Sequence, residues 1–72
     1  MSMTTTQITH QVIFSVALPD GTVDLKVIDC ESEGRAERLA NAFLGTETGK
    51  GMITSAQVFD VDAGSVTNEF EI

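Results

Sequence analysis

The chain has 72 residues, a formal net charge of −7, one cysteine and one histidine. So short a chain supports one hydrophobic core, which excludes a second domain. A single thiol cannot form an internal disulfide or, with one histidine, a structural zinc site, and the negative charge disfavours direct binding of nucleic acid or anionic membranes.

We expect a cytoplasmic protein, located in the host cytoplasm if a virus encodes it. The lone Cys30 favours a reducing compartment. No apolar run approaches the roughly 18 residues that a transmembrane helix needs, and residues 1–6 lack the basic and apolar regions of a signal peptide. The predicted organisation is a flexible tail at residues 1–6, followed by a single α+β domain at residues 7–72.

The first half of the domain is predicted to form a β-hairpin. Residues 8–18 alternate between two faces and are rich in β-branched and aromatic side chains, which indicates a strand. Asp20 and Gly21 supply the positive φ angles of a tight turn, and residues 23–30 form the return strand. With a two-residue loop, Leu18 pairs with Val23 and residues 14 and 27 also pair, so the inward face is apolar.

A helix is predicted to follow the hairpin. Ser32 is a suitable N-cap, and Glu33 places negative charge in the first turn, where it favours the helix dipole. Gly45 is a natural stop. A narrow apolar stripe with small side chains recurs at helical spacing and suits close contact with a sheet: Ala36, Leu39, Ala40 and Phe43.

A second hairpin completes the predicted fold. Strands at residues 52–61 and 66–72 flank a turn at residues 62–65. The fold class is therefore α+β: a single ββαββ domain with a four-stranded antiparallel sheet and one helix on one face. Strand order stays open, because the second hairpin can join either edge of the first. The predicted inward side chains of this half are Ile53, Phe59, Val66, Phe70 and Ile72.

No segment of the sequence predicts a catalytic, cofactor or metal site. The segment from Gly45 to Gly51 has the wrong glycine spacing and context for a phosphate-binding loop. His10 is predicted to be a partly buried strand residue, and acidic neighbours would blunt the reactivity of Cys30. Residues 60–65 resemble half a calcium loop without its closing acid.

One helix covers only one face of a four-stranded sheet, so the other face, which we call the open face, meets solvent or a partner. In the predicted registers Ile13 lies opposite Ile28, with acidic side chains around this apolar pair. Paired branched side chains on an exposed face are typical of an interface. The predicted partner-binding residues are Ile13, Asp24, Ile28, Val58, Asp60, Glu69 and Glu71.

An acidic rim favours a protein partner with a basic surface. We therefore expect a small non-enzymatic binding module, such as an inhibitor that occupies a basic, nucleic-acid-binding surface of a larger protein. As a short, acidic, single-domain chain without catalytic motifs it resembles, in type alone, virus-encoded inhibitors of bacterial defence such as anti-CRISPR proteins. The alternative is a homodimer that pairs through the open face or through edge strands.

Overall fold

The computed structural model describes residues 7–72, and the predicted tail at residues 1–6 lies outside them. The elements are β1 (His10–Ala17), β2 (Val23–Cys30), α1 (Glu33–Phe43), β3 (Met52–Asp60) and β4 (Ser65–Glu71). They form one antiparallel sheet in the order β2-β1-β3-β4, which leaves β2 and β4 at the edges. The predicted ββαββ fold of the α+β class is confirmed.

Helix α1 begins and ends where its capping residues predict. The Ser32 hydroxyl accepts a hydrogen bond from the Arg35 N–H at 3.2 Å, which satisfies one of the free amides of the first turn. Past the last turn, Gly45 has a φ of 80°, a conformation that favours glycine.

Within residues 7–72 no helix is long and apolar enough to cross a membrane.

The core lies between α1 and the two central strands. Ala36 and Ala40 are fully buried on the helix, and their small side chains let it approach the sheet closely. The Phe14 ring meets the Phe43 ring edge to face, with centroids 6.0 Å apart. The buried side chains of the core are Val12, Phe14, Val16, Cys30, Ala36, Ala40, Ile53, Ala56 and Val58.

The register of the first hairpin differs from the predicted one by one residue. The loop has three residues, because the Leu18 N–H donates to the Thr22 carbonyl at 2.9 Å and Gly21 adopts a φ of 88°. Ala17, not Leu18, therefore faces Val23. A shift of one residue moves every side chain of β2 to the opposite face of the sheet, so the predicted pairing is wrong.

Side-chain hydrogen bonds in the turn explain the longer loop. The Asp20 carboxylate accepts hydrogen bonds from the Thr22 N–H at 3.0 Å and from the Thr22 hydroxyl at 2.6 Å. These bonds lower the pKa of Asp20 below its usual value. The Gly21 N–H also donates to the Leu18 carbonyl at 3.0 Å, which closes a turn over Pro19 and Asp20.

Two β-bulges determine the faces in the second half of the sheet. The register shifts once beside Ser15, where Thr54 is the extra residue, and once beside Val58, where Thr67 is the extra residue. Each threonine hydroxyl donates to the carbonyl across the bulge, to Ser15 at 3.4 Å and to Val58 at 3.3 Å. The alternation of side chains therefore restarts at each bulge.

The bulges correct the predicted inward side chains of this half. Ile53 is buried and Phe70 packs against the core, as predicted. Phe59 and Val66 face each other across β3 and β4 in the same row as Gln11, on the open face, so their predicted inward positions are wrong. Ile72 follows the last strand and is mostly exposed.

Four of the predicted partner-binding residues lie on the helix side of the sheet and not on the open face. Val58 is completely buried, and Ile28 packs against the core. Asp24 pairs across strands with Val16 of the core, and Asp60 pairs with His10 on that side. The predicted open-face position is therefore wrong for these four residues, because the shifted hairpin and the bulges reverse their faces.

Candidate partner-binding site

Two rows in the middle of the open face change from apolar to acidic across the sheet, whereas the row of Asp29, Gln11, Phe59 and Val66 runs the other way. Cross-strand neighbours share a face, so the observed pairing defines rows of side chains that run from β2 to β4. One row contains Val27, Ile13, Gln57 and Glu69, and the next contains Leu25, Ser15, Ser55 and Glu71. In both rows the apolar end lies on β2 and the carboxylate lies on β4.

The apolar end is a strip of three aliphatic side chains on the edge strand. Val23, Leu25 and Val27 have exposed fractions of 61%, 64% and 52%, and they are alternate residues of one strand. We call these three residues the β2 strip. Ile13 and Ala17 lie beside the strip on β1 and are half-buried. Neighbouring exposed aliphatic side chains on one sheet face are typical of a binding surface.

The charged side chains on the open face of the described strands are all acidic. They are Asp29 on β2 and the pair Glu69 and Glu71 on β4, and each is exposed. The Gln11 amide donates to Asp29 at 3.0 Å. The four basic residues lie elsewhere, on the helix side of β2, on α1 and in the loop before β3: Lys26, Arg35, Arg38 and Lys50.

The structure brings together three of the predicted partner-binding residues. Ile13, Glu69 and Glu71 lie on the open face, as predicted, and Ile13 faces Val27 rather than Ile28. The prediction missed the β2 strip. A predicted loop of three residues at 19–21, with glycine at its last position, would have placed the β2 strip on the open face, because the loop length sets the register of β2.

On the helix side, His10 links the sheet to the first turn of α1. Its Nε2 atom lies 3.8 Å from an Asp60 carboxylate oxygen and 4.0 Å from a Glu33 carboxylate oxygen. The Thr9 hydroxyl lies 2.8 Å from His10 Nδ1, within hydrogen-bond distance, and 2.9 Å from the Glu31 carbonyl oxygen. This arrangement fixes the ring orientation at the end of the sheet.

Cys30 lies across from His10, in the same row as Asp60, which raises the question of nucleophilic chemistry. The thiol is buried, and its Sγ atom is directed at the Ile28 carbonyl, 3.8 Å away. Burial raises the pKa of Cys30, an effect that Arg35 partly offsets. A thiol kept neutral is a poor nucleophile, so we interpret these three side chains as structural.

A cleft of about 340 Å³ lies on the helix side, between β2, the end of α1 and the loop before β3. The amides of that loop are directed inward, because the Thr48 hydroxyl accepts hydrogen bonds from the Lys50 N–H at 3.2 Å and the Gly51 N–H at 3.1 Å. They do not form a phosphate cradle. The cleft is lined by Phe14, Lys26, Ile28, Ala42, Phe43, Thr46, Glu47, Thr48 and Ile53.

Across residues 7–72, histidine, cysteine and acidic side chains form no group of three or more that could hold a metal ion. Comparison of the chain with known protein families, curated proteins and solved structures found no match.

Proposed function

We propose that this chain is a protein-binding module whose open face docks on a partner with an apolar patch beside lysine or arginine side chains. The observation that carries the proposal is the graded composition of the two middle rows of that face, from Val27 to Glu69 and from Leu25 to Glu71. The β2 strip supplies exposed apolar area, and Glu69 and Glu71 supply negative charge on β4, with β1 and β3 between them and the strip. The strip gives affinity, and the carboxylates give orientation and fast encounter.

The partner class that fits this face best is a protein with a basic surface that binds nucleic acid. Such a surface carries lysine and arginine side chains that contact phosphates. Carboxylates on the open face compete for the same side chains, and the net charge of −7 repels the nucleic acid itself. The module would then act as an inhibitor in the cytoplasm, and an anti-CRISPR or other anti-defence protein is one instance of that class.

The test begins with capture of partners at low ionic strength, followed by titration of each purified partner. The double variant Glu69→Lys, Glu71→Lys changes the open face and leaves the β2 edge untouched. Its matched control, Glu31→Lys with Glu47→Lys, makes the same change in net charge at exposed positions outside the strands. We expect at least about a tenfold loss of affinity for the open-face variant alone.

Two further measurements define the kind of partner. Wild-type binding should weaken as salt rises, and the module should displace nucleic acid from the partner. Equal losses in the open-face variant and its control would show that net charge, and not this face, determines binding. Binding that leaves the nucleic acid in place would contradict the inhibitor proposal.

A homodimer is the second candidate function. Stacking two open faces would bring together surfaces whose charged side chains are all acidic, which disfavours that arrangement. Pairing through an edge strand avoids this repulsion. The specific observation in its favour is that β2 lies at an edge and carries the exposed β2 strip.

A further inference from the structure

The two edge strands of the sheet differ in how well they resist pairing with a further β-strand. Strand β2 has eight residues, contains no proline and pairs with β1 without a bulge. At the opposite edge, β4 contains a bulge at Thr67 and presents Glu69 and Glu71. Both edge strands carry charged side chains, but a bulge protects an edge from a further strand, so β2 is the edge that can accept one. The core under helix α1 reaches β2 at Ile28 and Cys30, whereas residues 23–27 are exposed.

The hairpin geometry identifies the free backbone groups of β2. The Leu18 N–H donates to the Thr22 carbonyl, which makes these two residues a hydrogen-bonded pair. Hydrogen-bonded pairs alternate along an antiparallel ladder. Asp24, Lys26 and Ile28 therefore direct their N–H and C=O groups toward β1. The residues of the β2 strip direct theirs outward, to the free edge.

We propose that β2 pairs with β2 of a second copy of this chain, antiparallel, about a two-fold axis that passes at Leu25. Leu25 then faces Leu25 of the partner subunit, and Val23 faces Val27 of the partner subunit. On the helix side Asp24 faces Lys26 of the partner subunit, and the symmetry repeats that opposite-charge pair. This inference rests on the second candidate function and does not depend on a basic partner.

The sequence of β2 distinguishes this register from its neighbours. An antiparallel two-fold pair keeps each side chain on its own face, so the axis moves in steps of one residue along the strand. An axis at Lys26 brings two lysines together, and an axis at Asp24 brings two aspartates together. An axis at Val27 places Leu25 against the partner's Asp29. Like charges directly opposite destabilise a sheet, whereas apolar and opposite-charge pairs stabilise it.

The pairing would also enlarge the apolar surface of the open face. The two sheets become one eight-stranded sheet with both helices on the same side. The two β2 strips merge into one patch at its centre, and the acidic β4 strands lie at its two outer ends. Each outward-facing pair, such as Leu25 with Leu25 of the partner subunit, exchanges two backbone hydrogen bonds. The free edge is thereby removed.

Charge exchange across the proposed pair tests the interface. Asp24→Lys alone and Lys26→Asp alone each place like charges in both symmetric pairs, and we expect the dimer dissociation constant to rise about tenfold. The double variant, and an equal mixture of the two single variants, restore opposite charges and should restore the dimer. Analytical ultracentrifugation measures the dimer dissociation constant of each variant and of the mixture. Asp62→Lys and Arg38→Glu are matched controls that change net charge equally, away from β2.

Cysteine cross-linking tests the register in a Cys30→Ala background whose fold circular dichroism confirms. The axis at Leu25 brings the two introduced thiols of Leu25→Cys within disulfide distance. The variants Val23→Cys and Val27→Cys place each thiol opposite a valine, so they should form little disulfide. Preferential cross-linking of either control would overturn the register and show that the chain forms a homodimer in a different one. A wild-type chain that stays monomeric at all concentrations would overturn both this inference and the second candidate function, but not capture of a basic partner.

Discussion

Burial of single residues in this sheet depends on which strand and which face they occupy. Val58 and Val23 are both strand valines, yet Val58 is fully buried and Val23 keeps 61% of its surface exposed. Val58 lies on the central strand β3 under α1, whereas Val23 lies on the open face of the edge strand β2. The same side chain therefore stabilises the core at one position and is exposed to solvent at the other.

Exchange of each valine for threonine measures this difference, because the two residues have nearly the same shape. Val58→Thr places a hydroxyl in the apolar core, and we expect the free energy of unfolding to fall by about 1–3 kcal/mol. Val23→Thr should change it by less than about 0.5 kcal/mol. Urea unfolding followed by circular dichroism makes the measurement. Equal effects would contradict the observed faces.

At the scale of elements, the turn between β1 and β2 determines the face of a whole strand. Gly21 has a φ of 88°, and its N–H closes the turn on the Leu18 carbonyl. A side chain at that φ costs about 1–2 kcal/mol, because its Cβ crowds the following carbonyl. The loop length set by this conformation places Ile28 against the core and the β2 strip on the open face.

Two glycine-to-alanine substitutions separate turn strain from a general effect of alanine. No atom lies within 4 Å of an ideal Cβ at Gly21 or at Gly34. Gly21→Ala should lower the free energy of unfolding by about 1 kcal/mol through backbone strain. Gly34→Ala, in the first turn of α1, should raise it by about 0.5 kcal/mol. A stabilising Gly21→Ala would contradict the three-residue turn.

At the scale of the whole molecule, negative charge is abundant and little of it is paired. Acidic side chains exceed basic ones by seven. In residues 7–72 the two contacts within 4.0 Å between a basic and an acidic side chain both involve His10, and they are ion pairs only when that ring is protonated. Self-repulsion therefore opposes the compact state, with few attractive pairs for salt to weaken. Under the proposed function, Glu69 and the β2 strip share one face, so this negative charge would direct a basic partner to the strip.

Salt should therefore stabilise the folded chain. We expect the free energy of unfolding to rise by on the order of 1 kcal/mol between about 0.05 M and about 0.5 M sodium chloride, because screening removes the repulsion. Urea unfolding at a fixed, low protein concentration keeps any dimerisation constant. The charge-reduced variant Glu31→Gln, Glu47→Gln should show a smaller rise. A decrease with salt in the wild-type chain would indicate stabilising ion pairs instead.

The sequence by itself determined the elements of this protein. The alternation in β1, the N-cap at Ser32 and the stop at Gly45 are local signals, and the structure contains each element close to its predicted bounds. The placement of Ile13, Glu69 and Glu71 on the open face also followed from alternation. These features depend on residues that are close together in the sequence, so the amino-acid sequence alone is enough to predict them.

Only the tertiary structure decided the strand order and the faces of β2 and of the second hairpin. Strand order depends on contacts between distant segments, which no local pattern encodes. The face that a side chain occupies depends on the number of residues in the turns and bulges before it. One added residue at Gly21, Thr54 or Thr67 reverses the face of every later side chain in the strand. The sequence alone did not predict the β2 strip for this reason. Its residues fit the inward face as well as the open face, and the turn and the helix determine which register forms.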